Sequence, residues 1–284
     1  MIEDGSRRAL LDSLRKACFE IIPIKGIENK VDHIPSGSEV AISCSPEKGI
    51  QATLDLAQQL SGRGFELIPH VAARGVASEG HLHKILGQLA EIGVDRLFVI
   101  GGDAEKPLGP FDSSLQLLEA MSAIDHRIGT IGVGAYPEGH PLIDDQTLFR
   151  YLQGKQPFAS YLVTQMCFDP TAIGSWLRRI RSEGIDLPVQ IGIPGVGDRA
   201  KLFRIALKIG VGQSTRFLKS NLKLVGKMAR PRGYSPDELV LDLAPIMADT
   251  TNGITALHFY TFNQVDTTEK WRVRMINNLE SGSI

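Results

Sequence analysis

The segment GTIGVGAYPEGHP, residues 129–141, joins an apolar strand-like run to a stiff polar loop. Small and branched apolar side chains fill residues 129–135, as in a buried strand. The loop then presents a phenol, a carboxylate and an imidazole, from Tyr136, Glu138 and His140. Pro137 and Pro141 restrict its backbone, because proline fixes φ and lacks an N–H donor. A loop that holds polar groups at a strand end indicates a binding or catalytic site.

Seven further runs of the same kind occur along the chain. The eight runs are residues 18–24, 39–44, 66–71, 96–100, 129–135, 161–168, 188–194 and 257–262. Amphipathic helical patterns lie between them, at residues 51–60, 81–92, 113–124, 171–183 and 199–209. Alternating strands and helices predict parallel strands with helical crossovers, and eight units predict an α/β fold of the single (β/α)₈ TIM barrel type.

The barrel is expected to form one domain over residues 1–284. Residues 1–17 would add an N-terminal helix and residues 265–284 a C-terminal tail. A doubly wound open sheet is the alternative fold. The glycine fingerprint of a dinucleotide-binding Rossmann domain does not follow an early strand, which weakens that alternative.

Composition excludes several functional classes. The 284 residues are 43% hydrophobic and 22% charged, with a net charge of -1. This balance gives no field that would attract nucleic acid or an anionic membrane. The cysteines, Cys18, Cys44 and Cys167, are odd in number and widely spaced, so we expect free thiols and no metal site. With neither a signal peptide nor a membrane-length apolar run, a cytoplasmic protein is expected. The oligomeric state stays open, and a homo-oligomer is compatible with the sequence.

Polar side chains interrupt the apolar runs near their ends. They are Glu20, Ser43, His70, Asp103, Tyr136, Glu138, His140, Gln165, Tyr260 and Asn263. In a (β/α)₈ barrel the active site lies at the carboxyl ends of the strands. This pattern therefore predicts a functional pocket at that end.

Glu20 is the candidate general acid. Phe19 and Ile21 flank it, and burial among apolar side chains raises a carboxyl pKa toward that of a proton donor at neutral pH. The alternative is a structural glutamate at a strand end that pairs with Lys25 or an arginine. Asp103 and His70 each have a similar alternative, a loop turn after two glycines for Asp103 and a packing role for His70.

The segment Gly210-Val211-Gly212-Gln213-Ser214-Thr215-Arg216 is a candidate anion site. It is glycine-rich and opens a basic helix, so Ser214 and Arg216 could hold a phosphate or carboxylate at a helix N-terminus. An ordinary helix cap with Ser214 as the N-cap residue is the equal alternative.

Seven motifs in order give the chain a resemblance to the methylenetetrahydrofolate reductase family. Quoted as they stand, they are Phe19-Glu20-Ile21-Ile22-Pro23, Pro69-His70, Gly102-Asp103, the loop from Ala135 to Pro141, Thr164-Gln165 with Phe168-Asp169, Ile193-Pro194-Gly195, and His258-Phe259-Tyr260-Thr261-x-Asn263. The resemblance covers roughly residues 19–263. It implies a barrel that passes a hydride from NADH or NADPH, through FAD, to 5,10-methylenetetrahydrofolate.

The resemblance also implies roles for individual residues. Glu20 would protonate the folate nitrogen that leaves as the five-membered ring opens, Asp103 would contact the pterin and influence the flavin, and Gln165 would hydrogen-bond folate or nicotinamide. The implied cofactor-binding residues are Ser43, His70, Gly101, Gly102, Asp103, Ala135, Tyr136 and His140. The implied substrate-binding residues are Glu20, Gln165, Phe168 and Tyr260.

The chain departs from the family pattern at several positions. The family arginine before Gly-Asp is Gly101 here, the second-strand threonine is Ser43, and the arginine after the last motif is Gln264. In the family, a helix after the His-Pro pair carries an Arg/Lys pair that holds the FAD phosphates. The matching stretch here, residues 142–158, is shorter, and its Arg150 and Lys155 are available but not at the matched positions. Two routes follow: FAD is kept with altered phosphate contacts, or NADH passes its hydride directly to the folate. The missing cations favour the second.

Two other functions and both reaction directions stay open at this stage. A folate-dependent methyltransferase would need a second methyl site, such as zinc-bound thiolates, and a non-catalytic folate-binding barrel would need none. The sequence does not distinguish NADH from NADPH or reduction from its reverse.

Overall fold

The eight strands form one closed parallel barrel in chain order. The computed structural model describes residues 2–198 and 234–284, and all structural statements refer to these residues. The strands are β1 (Cys18–Ile21), β2 (Glu39–Ile42), β3 (Glu66–Ala72), β4 (Arg96–Ile100), β5 (Thr130–Ala135), β6 (Tyr161–Thr164), β7 (Val189–Pro194) and β8 (Ile254–Tyr260). Parallel pairing of β8 with β1 closes the ring. The predicted (β/α)₈ barrel is confirmed, and the doubly wound open sheet is excluded because it would leave two unpaired edges.

The helices surround the barrel. They are α1 (Asp4–Arg15), α2 (Gly49–Leu60), α3 (Glu79–Ile92), α4 (Ser114–Ser122), α5 (Asp145–Lys155), α6 (Pro170–Ser182), α7 (Asp237–Ala248) and α8 (Val265–Glu280). Between β1 and β2 the chain forms two 3₁₀ turns instead, Ile27–Asn29 and Val31–His33. Prolines and glycines in this connection explain the difference, since both disfavour a continuous helix. The predicted helix at residues 199–209 lies outside the described residues.

Side-chain caps fix where several helices begin. The side-chain oxygens of Ser78, Ser113, Asp144 and Asp169 each accept a backbone N–H from the first turn of α3, α4, α5 and α6, respectively. Such caps satisfy donors that have no partner within the helix. The caps therefore fix the residue at which each loop after β3 to β6 passes into its helix, and these loops lie at the carboxyl ends of the strands.

Successive side chains of each strand point to opposite faces, and this produces two separate apolar layers. Outward side chains such as Phe19, Val40 and Phe259 pack in the core between the barrel and its helices. Inward side chains form a separate cluster inside the barrel, made of Cys18, Ala41, Ile68, Phe98, Tyr161 and Val163. Because Glu20 and His70 lie two residues beyond inward Cys18 and Ile68, they share the same face. The register thus directs both polar groups into the barrel, toward its carboxyl end.

The amino end of the barrel has a polar network of its own. Arg96 forms ion pairs with Glu39, at 2.7 Å, and with Glu66. Gln190 donates to Glu39 at 3.0 Å. A cavity of about 550 Å³ opens beside this network. This end of a (β/α)₈ barrel usually serves stability, which separates it from the site at the opposite end.

None of the helices within the described ranges is both long enough and apolar enough to span a lipid bilayer.

Gly132 makes room for two aromatic rings inside the barrel. A Cβ atom at this position would lie 2.4 Å from the Tyr161 ring and 2.7 Å from the Phe98 ring. Both distances are far below van der Waals contact, and both rings belong to the interior cluster. A side chain here would push apart the layer that supports Glu20 and His70.

We predict that Gly132→Ala lowers the free energy of unfolding by about 1–3 kcal/mol, through overpacking. Gly129→Ala is the matched control, because a Cβ there meets no atom within 4 Å. The control should leave stability unchanged or raise it by up to about 1 kcal/mol, since alanine restricts the unfolded chain. Urea denaturation of both variants measures the difference, and equal effects would contradict the packing argument.

Candidate active site

Glu20 and His258 form a buried polar contact at the junction of β1 and β8. In the pairing of these strands Cys18 lies opposite His258, and Glu20 lies opposite Tyr260. The Glu20 Oε2 atom is 3.1 Å from His258 Nε2. The side chains are 15% and 3% exposed, so the carboxyl group reaches the barrel mouth while the imidazole lies beneath. The sequence alternative in which Glu20 pairs with Lys25 is wrong.

The contact reverses the expected pKa shift of Glu20. Burial raises the carboxyl pKa, as the sequence suggested, and it is the largest single influence. The hydrogen bond to His258 and the positive charge that His70 and His258 can carry lower it by more in sum. The pKa of Glu20 therefore lies below its ordinary value, and the expectation of a raised pKa is wrong for the protein alone.

His70 is an uncharged imidazole beside this pair. It lies on β3 with 5% of its surface exposed, and its ring centroid is 4.7 Å from that of Phe98. Burial lowers the pKa of His70 to about 4, although the Glu20 charge acts in the opposite direction. Its Nε2 atom is buried and has no hydrogen-bond partner within the described part of the chain. At neutral pH His70 adds polarity without charge.

The loop after β5 brings two predicted site residues together with Asp103. The rings of Tyr136 and His140 meet edge to face, with centroids 5.1 Å apart. Burial and the Asp103 charge raise the pKa of Tyr136. Burial lowers the pKa of His140, and the negative charge of Asp103 offsets part of this decrease. The ends of β4 and β5 thus form one polar wall, with Asp103 exposed on it.

Glu138 holds this loop against the next one. It is 4% exposed, and its Oε1 atom accepts the backbone N–H groups of Phe168 and Asp169, both at 3.0 Å. A carboxylate that receives two backbone donors is a strong anchor between segments. Glu138 therefore differs from Tyr136 and His140, because these hydrogen bonds of its carboxylate hold one loop against the next.

Gln165 and Tyr260 approach the mouth from β6 and β8. The Gln165 Oε1 atom accepts the N–H of Met166 at 2.8 Å, and its backbone N–H donates to Ala135 at 2.7 Å. The Tyr260 hydroxyl donates to the carbonyl of Thr164 at 3.0 Å, and burial raises the Tyr260 pKa well above its ordinary value.

The remaining predicted positions are defined mainly by the backbone. Phe168 packs against Met166, as Tyr260 does. Ser43 donates its backbone N–H to Ile21 at 2.9 Å. Gly101 accepts the N–H of Arg74 at 3.0 Å. Gly102 has φ 91°, and a Cβ there would lie 2.9 Å from the Cβ of Ala72. Glycine is therefore required at position 102 by the fold itself.

Asn263 and His258 are the positions whose structural importance the sequence left unassigned. The Asn263 side chain accepts the N–H of Ile22 at 2.8 Å and donates to its carbonyl at 3.0 Å, which ties β8 to the end of β1. His258 was quoted only within a motif. Its signal in the sequence is its place two residues before Tyr260, on the same inward face.

The two cations of α5, Lys155 and Arg150, differ in how accessible they are to a phosphate. Lys155 is 7% exposed, its Nζ atom donates to the carbonyl of Gly134 at 3.1 Å, and burial lowers its pKa to about 8. The suggestion that Lys155 is available to a phosphate is therefore wrong. Arg150 donates to Thr147 on its own helix at 3.0 Å. Asp144 and Asp145 give the start of α5 two negative charges.

Other sequence expectations concern the anion site and the thiols. Ser214 and Arg216 lie outside the described residues. Cys18, Cys44 and Cys167 are free, and burial raises the pKa of each thiol. Within residues 2–198 and 234–284, no three histidine, cysteine or acidic side chains are grouped as metal ligands.

Comparison with known proteins settles the family. The model of the methylenetetrahydrofolate reductase family matches residues 29–274, most of the chain. The chain belongs to this family. The match includes strands β2 to β8, and therefore every predicted site residue except Glu20, which the barrel closure places beside β8.

The curated relatives in the same family are distant and much longer. Methylenetetrahydrofolate reductase 1 of Schizosaccharomyces pombe is 32% identical over 137 residues, which are 47% of this chain and 22% of that protein. Methylenetetrahydrofolate reductase 2 of Saccharomyces cerevisiae is 27% identical over 139 residues, with the same coverage. The matched segment is therefore about a fifth of each relative.

A solved structure shows the same fold. It is described as an uncharacterized protein from Clostridium thermocellum that binds two copies of 5-methyl-5,6,7,8-tetrahydrofolic acid. Its TM-score is 0.62 at 12% identity, over 93% of this chain and 94% of that one. At this identity the likeness supports the fold alone.

The lowered pKa of His70 predicts an acid-sensitive fold. Between about pH 6.5 and pH 4 the unfolded chain binds a proton at this position that the folded chain does not, so stability falls as pH falls. The difference corresponds to a loss on the order of 3 kcal/mol. His70→Gln should flatten this part of the curve of unfolding free energy against pH, measured by urea denaturation. The exposed His83 on α3 gives the control His83→Gln, which should keep the wild-type slope. An unchanged slope in His70→Gln would contradict the assignment.

Proposed function

We propose that this protein transfers a hydride from NADH or NADPH to 5,10-methylenetetrahydrofolate, with Glu20 as the proton donor. The observation that carries the proposal is the inward Glu20 carboxyl at the carboxyl-end mouth of a barrel of this family, paired with His258. The Clostridium thermocellum protein of the same fold binds a reduced folate, which belongs to the class of substrate proposed for this chain.

The residues around the mouth suggest how the two reactants would lie. The pterin would lie against Glu20, with Gln165 free to donate its side-chain N–H groups to it or to the nicotinamide. Asp103, exposed between β4 and β5, would accept hydrogen bonds from the pterin amino and N–H groups. Tyr260 and Phe168 would supply an apolar wall.

Glu20 must be protonated for its step, although its pKa is low in the protein alone. A folate ring over the mouth removes water from the partly exposed carboxyl, and desolvation raises a carboxyl pKa. The protonated carboxyl then gives its proton to the folate nitrogen as the ring C–N bond breaks, and the nitrogen keeps the electron pair. The hydride from nicotinamide C4 adds to the resulting iminium carbon and forms the methyl group. NAD(P)⁺ and 5-methyltetrahydrofolate are the products, and the reverse reaction uses the same groups.

We propose that the hydride passes directly from the nicotinamide to the folate, without FAD between them. Two features of α5 support this proposal. Its Lys155 is buried against the carbonyl of Gly134, and two aspartates, Asp144 and Asp145, lie at its start. A pyrophosphate is usually held by several charge-assisted donors, and this helix offers one exposed cation, Arg150, which already donates to Thr147. His70, Tyr136 and His140 would then border the nicotinamide instead of a flavin.

The reaction is tested with the purified full chain, NADH or NADPH, and methylenetetrahydrofolate. We expect nicotinamide oxidation that depends on the folate, 5-methyltetrahydrofolate as product, and no flavin absorbance in the protein. Glu20→Gln should lower kcat by roughly 10²–10⁴-fold, the usual effect of a lost general acid. Glu91→Gln, at an exposed position of α3, is the control and should keep full activity.

Other results of this assay would favour a different mechanism or function. Stoichiometric flavin that NADH bleaches would contradict direct transfer. Binding of 5-methyltetrahydrofolate without nicotinamide oxidation would favour a non-catalytic folate-binding barrel, and methyl transfer to an added thiol would favour a methyltransferase. Full activity in Glu20→Gln would remove Glu20 from the acid role.

A further inference from the structure

The two oxygens of the Glu20 carboxyl have different surroundings. Oε2 is 3.1 Å from His258 Nε2. Oε1 has no hydrogen bond to any of the residues that the structure describes. Since His258 is almost fully buried and Glu20 keeps partial exposure, His258 holds the inner side of the carboxyl and leaves the outer side to the mouth.

The surroundings of His258 decide where its own proton lies. Its Nδ1 atom is buried and has no partner within the described ranges, and its ring packs against Tyr260 with centroids 5.1 Å apart. A proton on Nδ1 would be a buried donor without an acceptor, which is costly. A proton on Nε2 instead donates to Glu20 Oε2. The geometry therefore favours a proton on Nε2, where it has an acceptor in Glu20 Oε2.

We propose that His258 is a positioning residue that makes Glu20 deliver its proton from Oε1. This inference rests on the proposed function. With Oε2 occupied as acceptor of the His258 N–H, the proton that Glu20 takes up is carried on Oε1. The O–H bond at Oε1 breaks as the N–H bond on the folate nitrogen forms, and the ring C–N electron pair remains on that nitrogen. Water then restores the proton at Oε1.

The titration of Glu20 also depends on the charges of the titratable groups around it. Cys18 on β1, His70 on β3 and Tyr260 on β8 are the other titratable side chains whose charges couple to Glu20. Burial keeps all three uncharged at neutral pH, because it raises the pKa of Cys18 and Tyr260 and lowers that of His70. His70 can gain its proton in the same acid range in which Glu20 titrates. The wild type and both His258 variants keep His70, so a difference between them in how Glu20 titrates is traced to His258.

Two amide variants test the assignment. The amide nitrogen of a glutamine reaches about as far from the backbone as His258 Nε2, whereas that of an asparagine reaches only as far as Nδ1. His258→Gln should therefore keep the contact to Glu20 Oε2, and His258→Asn should lose it. The first readout is the titration of the Glu20 side-chain carboxyl by ¹³C NMR in protein labelled at glutamate, assigned with Glu20→Gln.

The expected titration follows from the loss of one donor to a buried carboxylate. In His258→Asn the midpoint for Glu20 should rise by about one pH unit or more, because burial stays and the hydrogen bond is lost. In His258→Gln it should stay within about half a unit of the wild type. Equal midpoints in wild type and His258→Asn, with both folded by circular dichroism, would overturn the proposal.

The second readout is the pH profile of a single turnover with NADH and methylenetetrahydrofolate. The rate falls as the acid deprotonates, so in His258→Asn this limb should move to higher pH and the plateau rate should fall about tenfold. His258→Gln should restore both. If the wild type is active and its pH profile is the same as those of His258→Asn and His258→Gln, the role of His258 is overturned and the proposed function stands. An inactive wild type would overturn the proposed function, while the carboxyl titration would still decide whether His258 controls Glu20.

Discussion

The carboxylate that β1 directs into the barrel is the constraint on which the rest of the site depends. A charged group among apolar side chains is stable only if hydrogen bonds replace its lost water. Here the partner comes from β8, the strand that closes the barrel on β1, and the Glu20–His258 contact exists only because the ring closes. Thr261 and Asn263 add further hydrogen bonds between the same two segments, to the backbone of Glu20 and Ile22.

The rest of the mouth is arranged by similar ties between neighbouring strand ends. Glu138 fastens the loop after β5 to the loop after β6, and Tyr260 reaches across β7 to the carbonyl of Thr164. Gly192 permits this approach, because a Cβ there would lie 2.7 Å from the Tyr260 ring. Backbone and side chain together thus hold Gln165, Tyr260 and Glu20 at one opening. The candidate active site at this end and the Arg96 ion pairs at the other end occupy separate parts of one barrel.

Local patterns in the sequence were sufficient for the fold and for the composition of the mouth. The alternation within each strand predicts which side chains turn inward, and the carboxyl ends of parallel strands meet at one end of the barrel. Both follow from residues close in the chain. The first connection was the exception, since its prolines and glycines favour 3₁₀ turns over a helix.

Features that depend on distant residues were not predictable in the same way. The partner of Glu20 is 238 positions away, so its apolar neighbours in the chain indicate the burial that raises its pKa but not the hydrogen bond that lowers it. Lys155 was expected to be available, yet its helix packs it against the Gly134 carbonyl, 21 positions earlier. Sequence alone shows the residue type, and only the packed helix shows which face is covered.

We propose that a reduced folate binds at the carboxyl-end mouth, with its pterin against Glu20. A crystal structure of the protein with 5-methyltetrahydrofolate tests this binding mode most directly. We expect density for the pterin between Glu20, Gln165 and Tyr260. Density only in the cavity at the amino end, beside Arg96 and Tyr161, would contradict it.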